Sequence, residues 1–277
     1  MNNYPIILID TSYTSFYRFY ATIRWYSLAH NDEFKNYSID PKYDWFDNKI
    51  FIEKYEKMYL NSIIKIIKKN IFNNSYIFFC MDTPLEKLWR SELFTDYKGD
   101  RKYIIQKYNF NNVFKYTYSN IIPNIINNHK NIFSLRVNYV EADDIIGAIC
   151  LYLKNTDQQI YIISGDNDFC QLGRQNIYFL NYKLKKPITL TEEEAIYSLN
   201  KKIILGDKSD SIKGIYEKGY KIKKNDLLKQ NILDNYLSIN LKAKKQYEFN
   251  RVMIDFNYIP ENYYNNIIKF FTKYYKT

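Results

Sequence analysis

Short apolar runs of strand length, separated by stretches of helix length, recur through the first two thirds of the chain, and this alternation most restricts the fold. Ile6 to Ile9, Tyr76 to Met81, Phe133 to Tyr139, Ile160 to Ile163 and Ile177 to Tyr182 read as buried strands. Thr14 to Leu28, Phe51 to Lys69, Leu85 to Tyr97 and Ala142 to Lys154 read as helices between them. In the second of these, Ile52, Tyr55, Tyr59, Ile63 and Ile66 are spaced for one face. Thr191-Glu-Glu-Glu194 has the spacing of a capping box and opens a further helix. Such alternation predicts a mostly parallel α/β sheet, which binds its ligand beyond the carboxyl ends of its strands.

The acidic residues obey that rule. Asp10 ends the first strand, Asp82 follows the second, and Asp166 and Asp168 lie just past the strand ending at Ile163. Glu141, Asp143 and Asp144 crowd the start of a helix, where the dipole favours negative charge. A further pair, Asp207 and Asp210, sits in Gly206-Asp-Lys-Ser-Asp210. Taken singly, each has an ordinary explanation: Asp10 could cap a helix, and Glu141 with Asp144 could be first-turn acids. Taken together, carboxylates packed this closely repel one another and raise each other's pKa unless something positive lies between them. Oxygen-only donors point to a hard divalent ion, magnesium or manganese.

Composition narrows the class. The 277 residues are 46% hydrophobic, enough to bury a substantial core. No apolar stretch approaches 20 residues, and the start Met-Asn-Asn-Tyr-Pro leads into a strand rather than a signal peptide, which predicts a soluble intracellular protein and no membrane partner. Cys80, Cys150 and Cys170 are widely spaced in apolar company, and His30 and His129 are the two histidines, so a zinc site is excluded. The net charge is +10, and Lys201 to Arg251 holds 13 basic against 6 acidic residues. Arg101 to Val140 has six basic residues and no acidic one. Both stretches suit a phosphate backbone. Coding bias toward Lys, Asn, Ile and Tyr would also supply lysine, and the 30 tyrosines carry no separate message about base stacking.

Six ordered motifs then carry a resemblance: Ile9-Asp10-Thr-Ser12 with Phe16-Tyr-Arg18-Phe-Tyr-Ala21; Met81-Asp82; Arg90 with Tyr97-Lys98-Gly-Asp-Arg101; Val140-Glu141-Ala-Asp143-Asp144; Ser164-Gly-Asp166-Asn-Asp168; and Gly206-Asp207-Lys-Ser-Asp210. In their order and separation they resemble the 5′ nuclease superfamily, which comprises flap endonucleases, the 5′ nuclease domains of bacterial type-I DNA polymerases, and phage 5′ exonucleases with their RNase H relatives. The resemblance covers roughly residues 6 to 260.

The resemblance implies two divalent ions, one held by Asp10, Asp82, Glu141, Asp143 and Asp144, the other by Asp166, Asp168, Asp207 and Asp210. Metals about 3.5–4 Å apart clamp both oxygens of an in-line phosphoryl displacement. It implies that Lys98 and Arg101 act over the scissile phosphate, and we assign Arg18 and Arg90 to phosphate contact. It further implies a PIN-like core over residues 1–200, with a helical arch over about 101–131. The Asn- and aromatic-rich run from Phe110 to Tyr118 predicts a segment of the arch that orders only on DNA. A basic helical subdomain over 201–277 would carry a helix–turn–helix-type element, gripping duplex through Lys213, Lys218, Gly219, Lys221, Lys223 and Lys224. Glu217 stands where a second hairpin glycine is usual, which disfavours the family's monovalent K+ site.

The expectation is therefore a metal-dependent 5′-3′ exonuclease or flap endonuclease, using magnesium with manganese as substitute. Its substrates would be branched or 5′-ended duplex DNA, or RNA/DNA hybrids, in replication or repair. It would be monomeric, with an unspecified replication protein as a further partner. The competing readings are an RNA-directed nuclease on a related sheet and a DNA-structure-binding protein with a weak or inactive site. The aromatic tail from Ile267 to Tyr275 suits either a packed last helix or a docking peptide.

Overall fold

Five parallel strands, β1 (Ile6–Asp10), β2 (Tyr76–Cys80), β3 (Ile132–Leu135), β4 (Ile160–Ile163) and β5 (Ile177–Leu180), form one sheet in the order β3-β2-β1-β4-β5. This computed structural model describes residues 4–37, 40, 42–99, 110–217 and 223–275. Every pairing in the sheet is parallel. The chain steps outward from β1 to β2 to β3, then returns to the other side of β1 for β4 and β5. The strand order thus reverses between β1 and β4, and at such a switch point the carboxyl ends leave a crevice.

Alternation along each strand divides the core in two. Ile6 and Leu8 of β1, Phe78 and Cys80 of β2, and Ile160 and Ile162 of β4 face helix Ala142–Tyr152 and helix Glu261–Tyr274. Ile7, Ile9, Ile77, Phe79 and Ile163 face helices Thr11–Ala29 and Lys49–Ile67. The strands read as unbroken apolar runs because both faces are covered. A mostly parallel sheet flanked by helices is the expected architecture.

Three expectations change in detail. The helix expected over Leu85 to Tyr97 is broken at Leu88 and Phe94, which are extended, leaving a 3-10 turn at Leu85–Lys87 and a short α-helix at Trp89–Leu93. Lys98, expected to act with Arg101, has a left-handed φ of 53°, and Arg101 lies outside the described residues. The expected strand through Tyr139 stops at Leu135, and the left-handed Tyr139 (φ 70°) turns the chain toward Glu141. The run from Phe110, expected to order only on DNA, is helix Phe110–Tyr116, a π turn at Thr117–Ile121 and helix Ile122–Asn128. It buries Phe110, Val113, Ile121, Ile122 and Ile125 in the second core. The π turn shifts the helical phase in mid-segment, which is why its periodicity looks weak in sequence. Residues 101–109 of the expected arch lie outside the described residues.

The division expected at residue 200 falls inside helix Glu192–Leu205. Beyond it, β6 (Gly206–Asp207) and β7 (Ile212–Lys213) form a small antiparallel pair, followed by helices Gln230–Ile239 and Leu241–Ile254 with a separate small core at Ile204, Ile215, Leu227 and Tyr236. The aromatic tail is a packed helix: Ile267 and Phe271 are fully buried, and the Phe271 ring lies 5.2 Å from that of Phe78. Among the described residues no helix is long and apolar enough to cross a membrane.

Candidate metal centre

Asp10, at the end of β1, caps the following helix by accepting from the Tyr13 N–H at 2.9 Å, and its second oxygen accepts from Ser164 Oγ at 2.8 Å. Capping and site membership are thus compatible roles. Asp82 accepts from the backbone N–H of Ala142 at 2.7 Å and from the Ser12 hydroxyl, which ties β2 to the start of helix Ala142–Tyr152. The Asp143 side chain is half-buried on the first turn of that helix. Burial, then repulsion from Asp82, pushes the Asp10 carboxyl up to about 7. Burial also raises Asp82, and burial followed by repulsion from Asp10 raises Asp143 well above the usual carboxylate range. These three acids therefore form one electrostatic unit at the switch point, with too little positive charge.

Glu141 is served differently. It receives the Lys98 ammonium, the Tyr97 hydroxyl at 2.7 Å and Arg90 Nη1 at 3.2 Å. Burial alone would raise its carboxyl, but Lys98 and Arg90 hold it down at about 2. Asp144 is 0% exposed and turned to the same guanidinium, 2.8 Å from Arg90 Nη1, with the Trp89 indole N–H at 3.0 Å and the Glu141 N–H at 3.1 Å.

Three expectations shift here. Arg90, expected at phosphate, is only 3% exposed and spends its Nε on the Met253 carbonyl at 2.9 Å. Asp144, expected as a ligand, pairs with that arginine inside the core. Arg18, also expected at phosphate, is 8% exposed among Tyr17, Tyr55 and Tyr182, and its Nε has no hydrogen-bond partner.

A second acidic group lies alongside. Asp166 is exposed, and its carboxylate accepts from the Asp168 N–H at 2.9 Å, opening the 3-10 turn Asn167–Leu172. Asp207 and Asp210 project from the β6–β7 hairpin. That hairpin requires Gly206, whose φ is 78° and whose missing Cβ would lie 2.4 Å from the Gly214 nitrogen. One carboxylate oxygen from each of Asp168, Asp207 and Asp210 falls within 4.8 Å of the others, close enough for one cation. Asp210 also meets the first group: Tyr97 Oη donates to it at 3.2 Å, and Lys98 Nζ is 3.8 Å away. Lys98 is thereby 5% exposed between the two groups.

Several contributors were not singled out from sequence. Ser164 donates to Asp10 and accepts from the Asp166 N–H at 3.1 Å, bridging the groups. Trp89 and Tyr97 orient Asp144 and Glu141. Lys202 contacts both Asp168 and Asp207. Burial alone would raise the Asp207 carboxyl, but Lys202 and Ser209 bring it below its ordinary value. Lys202 precedes Asp207 by five residues, a spacing without meaning until the helix and hairpin are folded. Of the expected duplex-binding residues, Lys213, Lys223 and Lys224 are exposed, whereas Lys218, Gly219 and Lys221 lie outside the described residues. Glu217 is taken up by Lys242 at 2.6 Å and by Asn240 at 3.2 Å.

Residues 5–199 match the family model for the 5′-3′ exonuclease N-terminal, resolvase-like domain. The chain belongs to this family. A 5′-3′ exonuclease of Mycoplasmopsis pulmonis is 34% identical over 200 residues, covering 68% of this chain and 63% of that protein. One from Buchnera aphidicola subsp. Schizaphis graminum is 30% identical over 169 residues, covering 58% of this chain and 55% of its own. The matches thus span roughly three fifths of these relatives' length. Ribonuclease H of enterobacteria phage T4 is 24% identical over 242 residues, 82% of this chain and 79% of that one. In fold, the family member described here resembles a bacteriophage T5 protein co-crystallised with metal ions, with a TM-score of 0.63, 14% identity and coverage of 98% and 100%. The bacteriophage T5 flap endonuclease in a pseudo-enzyme-product complex with DNA and metal ions gives 0.63 at 15% identity, covering 98% of each chain.

Proposed function

We propose that this chain is a divalent-metal-dependent 5′ nuclease that hydrolyses phosphodiester bonds in branched or 5′-ended duplexes, as flap endonuclease, 5′-3′ exonuclease or remover of RNA primers. The observation that carries this reading is the meeting of Asp10, Asp82 and Asp143, from three distant parts of the chain, at the switch point of the sheet, with Asp168, Asp207 and Asp210 beside them. The donor set fits hard divalent ions: every candidate ligand is a carboxylate oxygen, and the inner three carboxyls are raised by burial first and by repulsion from neighbouring acids second, a state that an added cation relieves.

In this reading Asp10, Asp82, Asp143 and Glu141 hold one ion, and Asp166, Asp168, Asp207 and Asp210 hold the other, with magnesium the working metal and manganese a substitute. When bound, such ions polarise a phosphoryl oxygen and lower the pKa of water. The chain's own residues do the rest. Lys98, between the two groups, offers positive charge to the phosphate as its charge grows, and Arg101 joins it. Arg90, Trp89 and Asp144 fix Glu141 from behind. The acid-free stretch 101–131 serves as the arch beside the 5′ strand. Lys213, Lys223 and Lys224, with Lys218, Gly219 and Lys221, are the duplex-gripping part of a helix–turn–helix-type element within 201–277, whose last helix belongs to the core.

The test is cleavage of a labelled 5′-flap duplex, beside an RNA-primed duplex and plain single strands, in magnesium and then in chelator. Cutting near the junction that chelator abolishes, absent on single strands, is the expected result. Tight duplex binding without cutting in magnesium or manganese overturns the enzyme reading in favour of a DNA-structure-binding protein.

A further inference from the structure

The outer carboxylate group already contains a cation. Lys202 lies in the last turn of helix Glu192–Leu205, and its Nζ contacts Asp168 and, at 2.5 Å, Asp207. Asp207 has little else to offer: its Oδ1 accepts both the backbone N–H (2.8 Å) and the hydroxyl (2.6 Å) of Ser209, so Oδ2, the atom Lys202 takes, is the one left for an incoming ion. Asp168 gives Lys202 an oxygen as well, and Asp168 and Asp207 are two of the three residues whose oxygens lie close enough for one cation. An ammonium and a divalent ion compete for these oxygens, because two cations held against the same carboxylates repel each other. The inner group differs: among the described residues no lysine or arginine lies within ion-pair distance of Asp10, Asp82 or Asp143, and Lys98, paired with Glu141, acts on Asp82 and Asp143 only from farther away.

We propose that Lys202 is a tethered counter-cation that holds the outer carboxylates in register without metal and competes with the divalent ion for them. The proposal rests on the reading of this group as an ion site. Lys202 is suited to yielding: its side chain is 25% exposed on a flexible four-carbon stem, so an ion of higher charge can turn the ammonium out to solvent. The consequence is two unequal ion sites, a tight inner one and a weaker outer one. A self-neutralised outer site would load only when divalent ion is plentiful. Lys202 acts through the carboxylates, and is a positioning residue.

The experiment counts ions rather than turnover. Manganese binding to the full chain is followed by the electron paramagnetic resonance signal of the free ion, for wild type, Lys202→Met, Lys202→Arg and the surface control Lys244→Met. In wild type and control one ion should bind more tightly than the other. In Lys202→Met the weaker ion should tighten about tenfold while the tighter one is unchanged, since a cation in contact has been removed from a part-exposed site. Lys202→Arg should keep the weak site weak, because the competing charge remains. With chelator, Lys202→Met should melt at a lower temperature than wild type and gain more on adding manganese. Should Lys202→Met fold poorly, the arginine variant still decides: a tightened outer ion there overturns the proposal. An unchanged or weakened outer ion in Lys202→Met also overturns it. If two ions bind wild type and those outcomes are negative, only Lys202's role falls; if wild type binds no manganese, the metal-site reading itself falls.

Discussion

The carboxylates gathered at the sheet edge divide into those that the chain leaves beside one another and those that it pairs with its own cations, and the fold leaves the two sets in opposite electrostatic states. Asp10, Asp82 and Asp143 are buried beside one another at the sheet's switch point, and burial and then repulsion push their carboxyls up, Asp10 to about 7. Glu141, held by Lys98 and Arg90, sits at about 2, and Asp207, held by Lys202 and Ser209, is likewise lowered. The difference is supply. Where the chain provides its own cation the carboxylate is neutralised from within. Where it does not, crowding persists until something positive arrives. An acidic residue's position in a motif therefore says less about its charge than the basic residue that folds against it.

The largest test of this contrast lies on the self-neutralised side. Replacing Arg90 by Leu leaves Glu141 and Asp144 buried without their guanidinium, and breaking a buried pair by removing one partner costs about 3–5 kcal/mol. Chemical denaturation should show a loss of that size in chelator and in magnesium alike. A loss under 1 kcal/mol, with weakened DNA binding instead, would return Arg90 to the phosphate role expected from sequence.

On the crowded side the signs invert. Asp10→Asn removes a repelling charge, so the chelated protein should be as stable as wild type or more so, while cleavage falls by about a hundredfold or more, beyond what loss of an outer hydrogen-bond partner of a metal ligand costs. Cleavage within threefold of wild type would remove Asp10 from the centre. Together the two variants separate residues that hold the fold from residues that the fold strains to present.

A smaller effect is expected from pH. The Asp10 carboxyl is raised from 3.8 to about 7 in the folded state, so between those values the folded chain binds more protons than the unfolded one, and stability falls as pH rises through that window. The change is on the order of a few kcal/mol at most. Glu141 runs the other way: its folded value of about 2 lies below its ordinary 4.5, so its contribution is present above 4.5 and is lost as pH falls toward 2. Melting temperature in chelator should thus decline from pH 5 to pH 8, and either magnesium or Asp10→Asn should flatten the decline. A rise over that range would show that burial and the neighbouring acids do not hold Asp10 protonated.

How much of this was legible in the sequence follows from what each feature depends on. The strands were readable because both faces of a parallel sheet are apolar, and the carboxylates at their ends followed from the rule for such sheets. The capping box at Thr191 is local and appears as expected. Features that depend on tertiary partners were not readable. Arg90 looked like a phosphate ligand until Asp144 closed on it, and Lys202 looked like one basic residue among many. The helices between Phe110 and Asn128 were hidden for a different reason, since the π turn at Thr117–Ile121 breaks the phase that a periodicity argument needs. Leu88, extended between two helical turns, interrupts a run whose composition favours one continuous helix.

The last and smallest test separates cations that serve the site from cations that serve the substrate. Lys213, Lys223 and Lys224 are exposed, and none contacts the carboxylates among the described residues. If they meet only phosphates, each neutralises about one backbone charge and releases about one counterion. Lys223→Ala with Lys224→Ala should then reduce the slope of log affinity against log salt by about two, weaken duplex binding alike for unrelated sequences, and leave manganese binding unaltered. An unchanged slope would remove them from the DNA interface. A change in ion affinity would mean that the outer basic surface and the outer carboxylates act as one electrostatic unit, so that the two kinds of cation could no longer be told apart by position.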